Sequence, residues 1–306
     1  MVNKRMNKIM VIGSISTDFN VNTAVLPAIG ETVSGDSFSI SFGGKGANQA
    51  IAAARLGAQV HMVGTVGNDI FAEKLINNLT ENGIDATCVA VNSEIESGSA
   101  HITKYQNDNA IIYIAAANDT ITTERIIALT PKFKEMAYVV IQNEIPMDVV
   151  TQIIEICHAE GVKVIYNPAP AKAISPAVID KVDLFTPNET EFKSIFPELS
   201  VEEGLKKYPL KMIVTLGSEG VVYYDGDRIV TIPSYKVNVV DTTGAGDTFN
   251  GALAYALSKG IQLEDSARFA NLAAALSIQE YGAQEGMPTA QAIQESEHFD
   301  KEWLVY

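Results

Sequence analysis

Asp241-Thr242-Thr243-Gly244-Ala245-Gly246-Asp247-Thr248-Phe249 sets two carboxylates around a run of very small residues. Phe249, Leu253, Ala256 and Leu257 follow at i, i+4, i+7 and i+8, the spacing of one apolar helix face. A strand is expected over 237–240, so the small residues make a βα turn. With side chains this short, the first N–H groups of the helix are open to a ligand. Unpaired donors and the positive end of the helix dipole attract an anion there. Asp247 directly beside an anion site is electrostatically odd. It makes sense as a base that takes a proton from a hydroxyl while the turn holds the charge developing on a transferring phosphoryl group. It makes equal sense as a helix cap after a tight turn. These nine residues alone do not separate the two readings.

A second glycine-rich stretch, Gly43-Gly44-Lys45-Gly46-Ala47-Asn48, opens a helix that runs through Leu56 and is closed by Gly57. It is not a Walker loop, because Gly46 stands where that motif needs Ser or Thr for magnesium. Either the backbone approaches a small polar ligand, with Asn48 offering a donor and an acceptor, or this is a glycine-rich helix entry. Gly13-Ser14-Ile15-Ser16-Thr17-Asp18 follows the first strand without a G-x-G-x-x-G pattern, which weakens a dinucleotide reading. Glu144 lies three residues past a strand and just before Pro146, a place that favours a ligand-facing carboxylate over a simple helix cap. Asn188 and Glu191 form a capping box, or they hold water or magnesium around a phosphate. Thr215, Gly217 and Gly220 either line a nucleotide or make a hairpin turn.

The elements that position these residues alternate as in an α/β protein. Short apolar runs at 9–12, 60–66, 137–141, 162–166 and 182–185 read as buried strands, with helices at 70–82, 123–129 and 147–160. A mainly parallel, helix-covered sheet is expected, with ligands gathered at the carboxyl ends of its strands. That places Asp18, Glu144, Asn167 and Asn188 on one rim. Two patches of alternating sequence, about 17–42 and 87–116, interrupt this pattern. They read as antiparallel strands, at 87–91, 99–105 and 110–115 in the second patch, with a turn at Asn107-Asp108-Asn109. Such patches pair as a small antiparallel β lid or a dimer clasp. Residues 211–215 and 221–224 read as strand, turn, strand, and the last helices fall near 264–280 and 290–297. No repeat or linker divides residues 1–306, so one catalytic domain is expected.

The balance of 22 Lys plus Arg against 37 Asp plus Glu gives a net charge of −15, which argues against a nucleic-acid partner. An anionic substrate therefore needs a local positive site and a metal counter-ion. Cys88 and Cys157 make no disulfide framework or metal pattern, which points to a reducing cytoplasm, with Cys157 a core residue. The apolar run 9–12 is too short for a signal peptide, and no stretch is long enough to span a membrane.

Over 13–288 the chain resembles the ribokinase (PfkB) family of sugar kinases. The resemblance rests on Gly43-Gly44-Lys45-Gly46-Ala47-Asn48-Gln49-Ala50 and on the stretch from Asp241 to Phe249. Asn167-Pro168-Ala169-Pro170-Ala171, Pro187-Asn188-Glu189-Thr190-Glu191, Thr215-Leu216-Gly217 and Gly282-Ala283-Gln284 add to it. The resemblance implies magnesium-dependent transfer of the ATP γ-phosphoryl group to the 5-hydroxyl of ribose. It implies Asp247 as the base, and Gly244, Ala245 and Gly246 as the anion hole. Ser16, Asp18, Gly44, Lys45, Asn48 and Glu144 fall at sugar-contacting positions. Asn188 and Glu191 match residues around magnesium and phosphate, and Thr215, Gly217, Gly220 and Asn271 match the nucleotide pocket. A monovalent cation, usually potassium, is implied at Asp241, Thr243, Ser277, Glu280, Gly282 and Gly286, and a homodimer through the lid. Two departures stand out. Ser16 replaces the family's usual Asn, which moves doubt onto the substrate rather than the reaction, and the segment between Pro197 and Lys211 is short. The alternatives are a kinase of the same fold for 2-deoxyribose, fructose or a nucleoside such as adenosine, or a non-catalytic sensor on that fold.

Overall fold

The computed structural model describes residues 5–106 and 108–304. In chain order its strands are β1 (Lys8–Ile12), β2 (Ser16–Asn22), β3 (Ser37–Gly43), β4 (Gln59–Val66), β5 (Asp85–Val91), β6 (Gly98–Tyr105), β7 (Asp108–Ile114), β8 (Tyr138–Ile141), β9 (Lys163–Tyr166), β10 (Leu184–Phe185), β11 (Ile213–Thr215), β12 (Val221–Tyr224) and β13 (Ile229–Ile232). The α-helices are α1 (Lys45–Arg55), α2 (Ala72–Glu81), α3 (Thr123–Ala128), α4 (Thr130–Phe133), α5 (Met147–Glu160), α6 (Pro176–Ile179), α7 (Glu189–Ile195), α8 (Val201–Lys207), α9 (Ala245–Ser258), α10 (Leu263–Ser277) and α11 (Ala290–Gln294).

Six strands pair in parallel in the order β10-β9-β8-β1-β4-β5. β1 is central, and its residues divide between two cores. Ile9 and Val11 pack on the side covered by α1, α2, α9 and α10, and Met10 and Ile12 on the side of α3, α4 and α5. This is why β1 reads as an unbroken apolar run: helices cover both of its faces. An antiparallel sheet, β11-β12-β13, continues the platform, since single parallel bridges join Phe185 to Met212 and Asn188 to Thr215. α9 crosses α1 closely at Gly251, where an added Cβ would stand 2.6 Å from both the Ala52 Cβ and the Gln49 carbonyl oxygen. That approach sets the start of α9 over the first turn of α1.

A separate four-stranded sheet, β3-β2-β6-β7, rises beyond the carboxyl end of β1. β3/β2 and β6/β7 are antiparallel, whereas the central β2/β6 pair is parallel. Register places Asp18, Ala100 and Tyr113 in one row across this sheet, and Asn20, Ile102 and Ile111 in the next. The intervening rows, such as Phe19, His101 and Ile112, face the other way.

Some expected elements moved. The expected strand at 87–91 is β5, which pairs in parallel with β4 at the edge of the large sheet and takes no part in the smaller one. Alternation gives a strand but does not say which sheet receives it. The stretch 237–240 is an unpaired connector, and the strand lies earlier, at β13. Its β-branched residues favour extended backbone, but Val239 stays 56% exposed, with no neighbouring strand among the described residues to cover it. In the expected turn at Asn107-Asp108-Asn109, Asn107 lies outside the described residues, and β7 begins at Asp108.

Candidate active site

α9 begins at Gly244, whose φ of 80° is left-handed and whose added Cβ would press on Ala283. Gly246 differs: its backbone is helical, and an added Cβ would meet nothing within 4 Å. The protein's own packing therefore does not require glycine at 246. Among the described residues, no acceptor is bonded to the N–H of Gly246 or of Asp247. An open, donor-lined helix start with space in front of it suits an anion.

Asp247 is 6% exposed, and both of its carboxylate oxygens are held. Asn48 Nδ2 donates to Oδ2 at 3.0 Å, and Gln49 Nε2 to Oδ1 at 2.9 Å. Gln49 Nε2 also donates to Asn167 Oδ1 at 3.1 Å, while Gln49 Oε1 accepts from Gln142 Nε2 at 2.7 Å. On the other side Gln284 Nε2 donates to Asn48 Oδ1 at 2.8 Å, and Asn78 Nδ2 to Gln284 Oε1 at 2.9 Å. Asp247 thus sits in the middle of a buried chain of side-chain amides. It is not an ordinary N-cap, because it lies inside the first turn and makes no cap bond.

The α1 entry is built around a different carboxylate. Glu144 Oε2 accepts from the Lys45 backbone N–H at 3.1 Å and from the Ser14 hydroxyl at 2.5 Å. Across from it, Asp18 is 7% exposed and takes the Ser16 hydroxyl on Oδ1 at 3.2 Å. Burial, opposed by that hydroxyl and helped by the charges of Glu144, Asp247 and Glu285, pushes the Asp18 carboxyl up to about 7. Burial works against a charge on Lys45, but Asp247, Glu144, Glu191 and Asp18 outweigh it and hold its ammonium above the usual value. Burial also raises the Glu191 carboxyl.

Two cavities meet here. One, of about 140 Å³, is bounded by Ser16, Asp18, Gly44, Asn48 and Glu144, and by Ala100, Ile102, Ile111 and Tyr113 of the smaller sheet. The other, of about 180 Å³, is bounded by Asn167, Thr186, Asn188, Glu191, Thr215 and the α9 turn. Lys45, Gly244 and Asp247 line both. The structure thus joins every expected sugar-contact residue in one cavity, and joins Asn188, Glu191 and Thr215 to the turn in the other. Asn188 and Glu191 do form the capping box, with backbone-to-side-chain distances of 2.9 and 2.7 Å. Gly217, Gly220 and Asn271 do not line either cavity. Gly220 packs tightly on β13 and its exit, and Asn271 Nδ2 donates to the Pro233 carbonyl at 2.8 Å.

Around Asp241 the expected cation residues are only partly gathered. Asp241 accepts from the Thr243 N–H at 3.0 Å, the Thr243 hydroxyl at 2.6 Å, the Gly282 N–H at 3.3 Å and Lys104 Nζ at 2.8 Å. Gly286 packs on the Ser277 carbonyl oxygen and beside Glu280, but Ser277 turns its hydroxyl to the Ala274 carbonyl and the Glu280 side chain is exposed. Burial would raise the Asp241 carboxyl, but the donors from Lys104, Thr243 and Gly282 bring it down to about 2. A carboxylate offers about four lone-pair directions. All are taken, so these residues as arranged do not present Asp241 to a metal ion. Sequence reading missed Lys104, Tyr113, Gln49, Gln142 and Gln284. Lys104 and Tyr113 were legible in principle, because they continue the inward row spacing of β6 and β7.

Residues 6–290 match the model of the pfkB family carbohydrate kinases. The chain is 46% identical to a Bacillus subtilis ribokinase over 95% of this chain and 99% of that one. It is 48% identical to a Lactococcus lactis ribokinase over 92% and 94%. Its fold superposes on an Arabidopsis thaliana ribokinase complexed with ribose and ATP, with a TM-score of 0.84 at 29% identity, covering 94% of this chain and 97% of that one.

Proposed function

The chain belongs to the pfkB family of carbohydrate kinases, and from that premise we propose that it transfers the γ-phosphoryl group of ATP to the 5-hydroxyl of D-ribose. The observation that carries the reading is the junction of the two cavities at Lys45, Gly244 and Asp247. The sugar enters beneath the smaller sheet and is held by Ser16, Asp18, Gly44, Asn48 and Glu144. The triphosphate enters from the side of Asn188, Glu191 and Thr215, and Gly217, Gly220 and Asn271, which line neither cavity, are left outside this contact set. Asp247 takes the proton of the 5-hydroxyl, and the hydroxyl oxygen bonds to the γ-phosphorus. The bond from that phosphorus to the β–γ bridging oxygen breaks, and its electron pair leaves with ADP. Charge on the transferring oxygens meets the turn at Gly244, Ala245 and Gly246, where the open N–H groups of Gly246 and Asp247, with the Lys45 ammonium, stabilise it.

Magnesium fits this site in one respect: no cluster of three acidic, His or Cys ligands occurs among the described residues, and a lone Glu191 with Asn188 suits an ion bound mainly by phosphates and water. Bound there, it would neutralise phosphate charge. The resemblance also implies potassium at Asp241, Thr243, Ser277, Glu280, Gly282 and Gly286. No step is routed through it, given the saturated Asp241. The reading extends to a single catalytic domain in a reducing cytoplasm, and to a homodimer through the outward face of the smaller sheet. Phe38, Ile40, Ile112 and Ile114 are exposed on that face.

The test is ADP release with magnesium across ribose, 2-deoxyribose, fructose and adenosine. Strong preference for ribose is expected. A second reading, a kinase for another sugar, is favoured by Ser16, whose hydroxyl is already engaged by Asp18. Preference for 2-deoxyribose or fructose would replace the substrate and keep the mechanism. No turnover with any of the four would overturn the kinase reading in favour of a sensor.

A further inference from the structure

Lys104 is the last inward-facing residue of β6, two rows beyond Ala100. Its Nζ reaches Asp241 Oδ2 at 2.8 Å and lies 5.6 Å from the centre of the Tyr281 ring. The carboxylate is 9% exposed and the lysine side chain 26%, so this pair is far better shielded than a surface ion pair. Asp241 also grips the turn that leads into α9, through the N–H and hydroxyl of Thr243. Uncompensated, a buried negative charge there would repel the phosphate that α9 is built to receive. Something positive must therefore stand beside Asp241. In this chain the position is filled by a side chain of the smaller sheet, where the family resemblance implies a free monovalent cation.

We propose that the Lys104 ammonium is a built-in substitute for the monovalent cation at Asp241, so that this enzyme works without potassium. The inference rests on the kinase reading above. Lys104 is a positioning residue: it touches neither sugar nor nucleotide and acts through Asp241 and the Thr243 turn. It has a second effect, because it ties the smaller sheet to the phosphate turn, two elements 137 residues apart in sequence.

The experiment compares the wild type, Lys104→Met and Lys104→Arg in chlorides of potassium, sodium and tetramethylammonium at equal ionic strength. It follows both turnover and the melting temperature without substrates. Wild-type turnover and melting should be the same in potassium and tetramethylammonium. Lys104→Met should be slower in tetramethylammonium by at least about tenfold, regain activity in potassium, and melt higher in potassium than in tetramethylammonium. Lys104→Arg should keep the wild-type indifference. Potassium activation of the wild type overturns the proposal, as does a folded Lys104→Met that neither gains activity nor melts higher in potassium. If the wild type turns over no sugar, the kinase reading fails. The melting series then still decides whether losing Lys104 opens a potassium site.

Discussion

The two glycine-rich helix entries, at α1 and α9, look alike in sequence and differ in one respect. At α1 each glycine is demanded by the protein itself. A Cβ on Gly43 would overlap the Asp18 carboxylate, Gly44 has a φ of 91° with Ser14 beneath it, and a Cβ on Gly46 would stand 2.6 Å from the Gly13 backbone. The first N–H of that helix already has its anion, the Glu144 carboxylate. At α9 only Gly244 is demanded; Gly246 faces open space, and among the described residues the N–H groups of Gly246 and Asp247 are unclaimed. On the proposed reading, the helix start closed by an internal carboxylate holds a neutral polyol, and the one left open receives a phosphate. The difference lies in whether the chain supplies the negative charge itself.

The sharpest way to break this contrast is at Asp247. Asp247→Asn keeps the size of the side chain and removes the proton acceptor. Turnover should fall by about 10²–10⁴-fold, with sugar and ATP binding by calorimetry little changed. Near-normal turnover would end the assignment of Asp247 as base. The closed entry carries the pH response. Asp18 titrates near 7 when folded against an ordinary 3.8, so between those values the unfolded chain is ionised while the folded one keeps its proton. Stability contributed at this residue therefore falls as pH rises from about 4 to about 7 and is level above, an effect bounded at about 4 kcal/mol. The melting temperature of Asp18→Asn relative to wild type should climb across that window; a pH-independent difference would refute the raised carboxyl.

The two glycines Gly46 and Gly246 divide stability from activity. Gly46→Ala should destabilise by about 1–3 kcal/mol in denaturant unfolding, because backbone lies where the methyl must go. Gly246→Ala should gain about 0.4–1 kcal/mol from the helical backbone, yet lose turnover because the methyl stands where the phosphoryl group passes. If Gly246→Ala keeps full activity, the open space at α9 has no catalytic meaning.

Much of this was legible in sequence because the relevant residues are contiguous. Gly43 to Asn48 and Asp241 to Asp247 each sit on one turn, so local texture identifies them, and the capping box of Asn188 and Glu191 has the expected bonds. The amide chain was not legible. Gln49, Gln142 and Gln284 carry no charge, and their partners lie 93 to 236 residues away, brought together only by the packing of α1 against α9, the end of β8 and the segment after α10. The misplaced strands have a related cause. Val237, Val239 and Val240 favour extended backbone, but a strand also needs a neighbour, and propensity says nothing of neighbours. Likewise the alternation at 87–91 marks an extended segment but does not reveal that its neighbour is β4. Sequence alone makes Lys104 one more residue of a lid strand, because its partner Asp241 belongs to the other end of the chain.

The period-two alternation of the smaller sheet has an evolutionary consequence. Ala100, Ile102, Ile111 and Tyr113 line the cavity proposed for the sugar, while their immediate neighbours His101 and Ile112 face outward. Adjacent codons thus answer to separate selective pressures. If that cavity holds the sugar, a lineage can drift to a new one through alternate positions on two strands, leaving the outer surface and the α9 turn untouched.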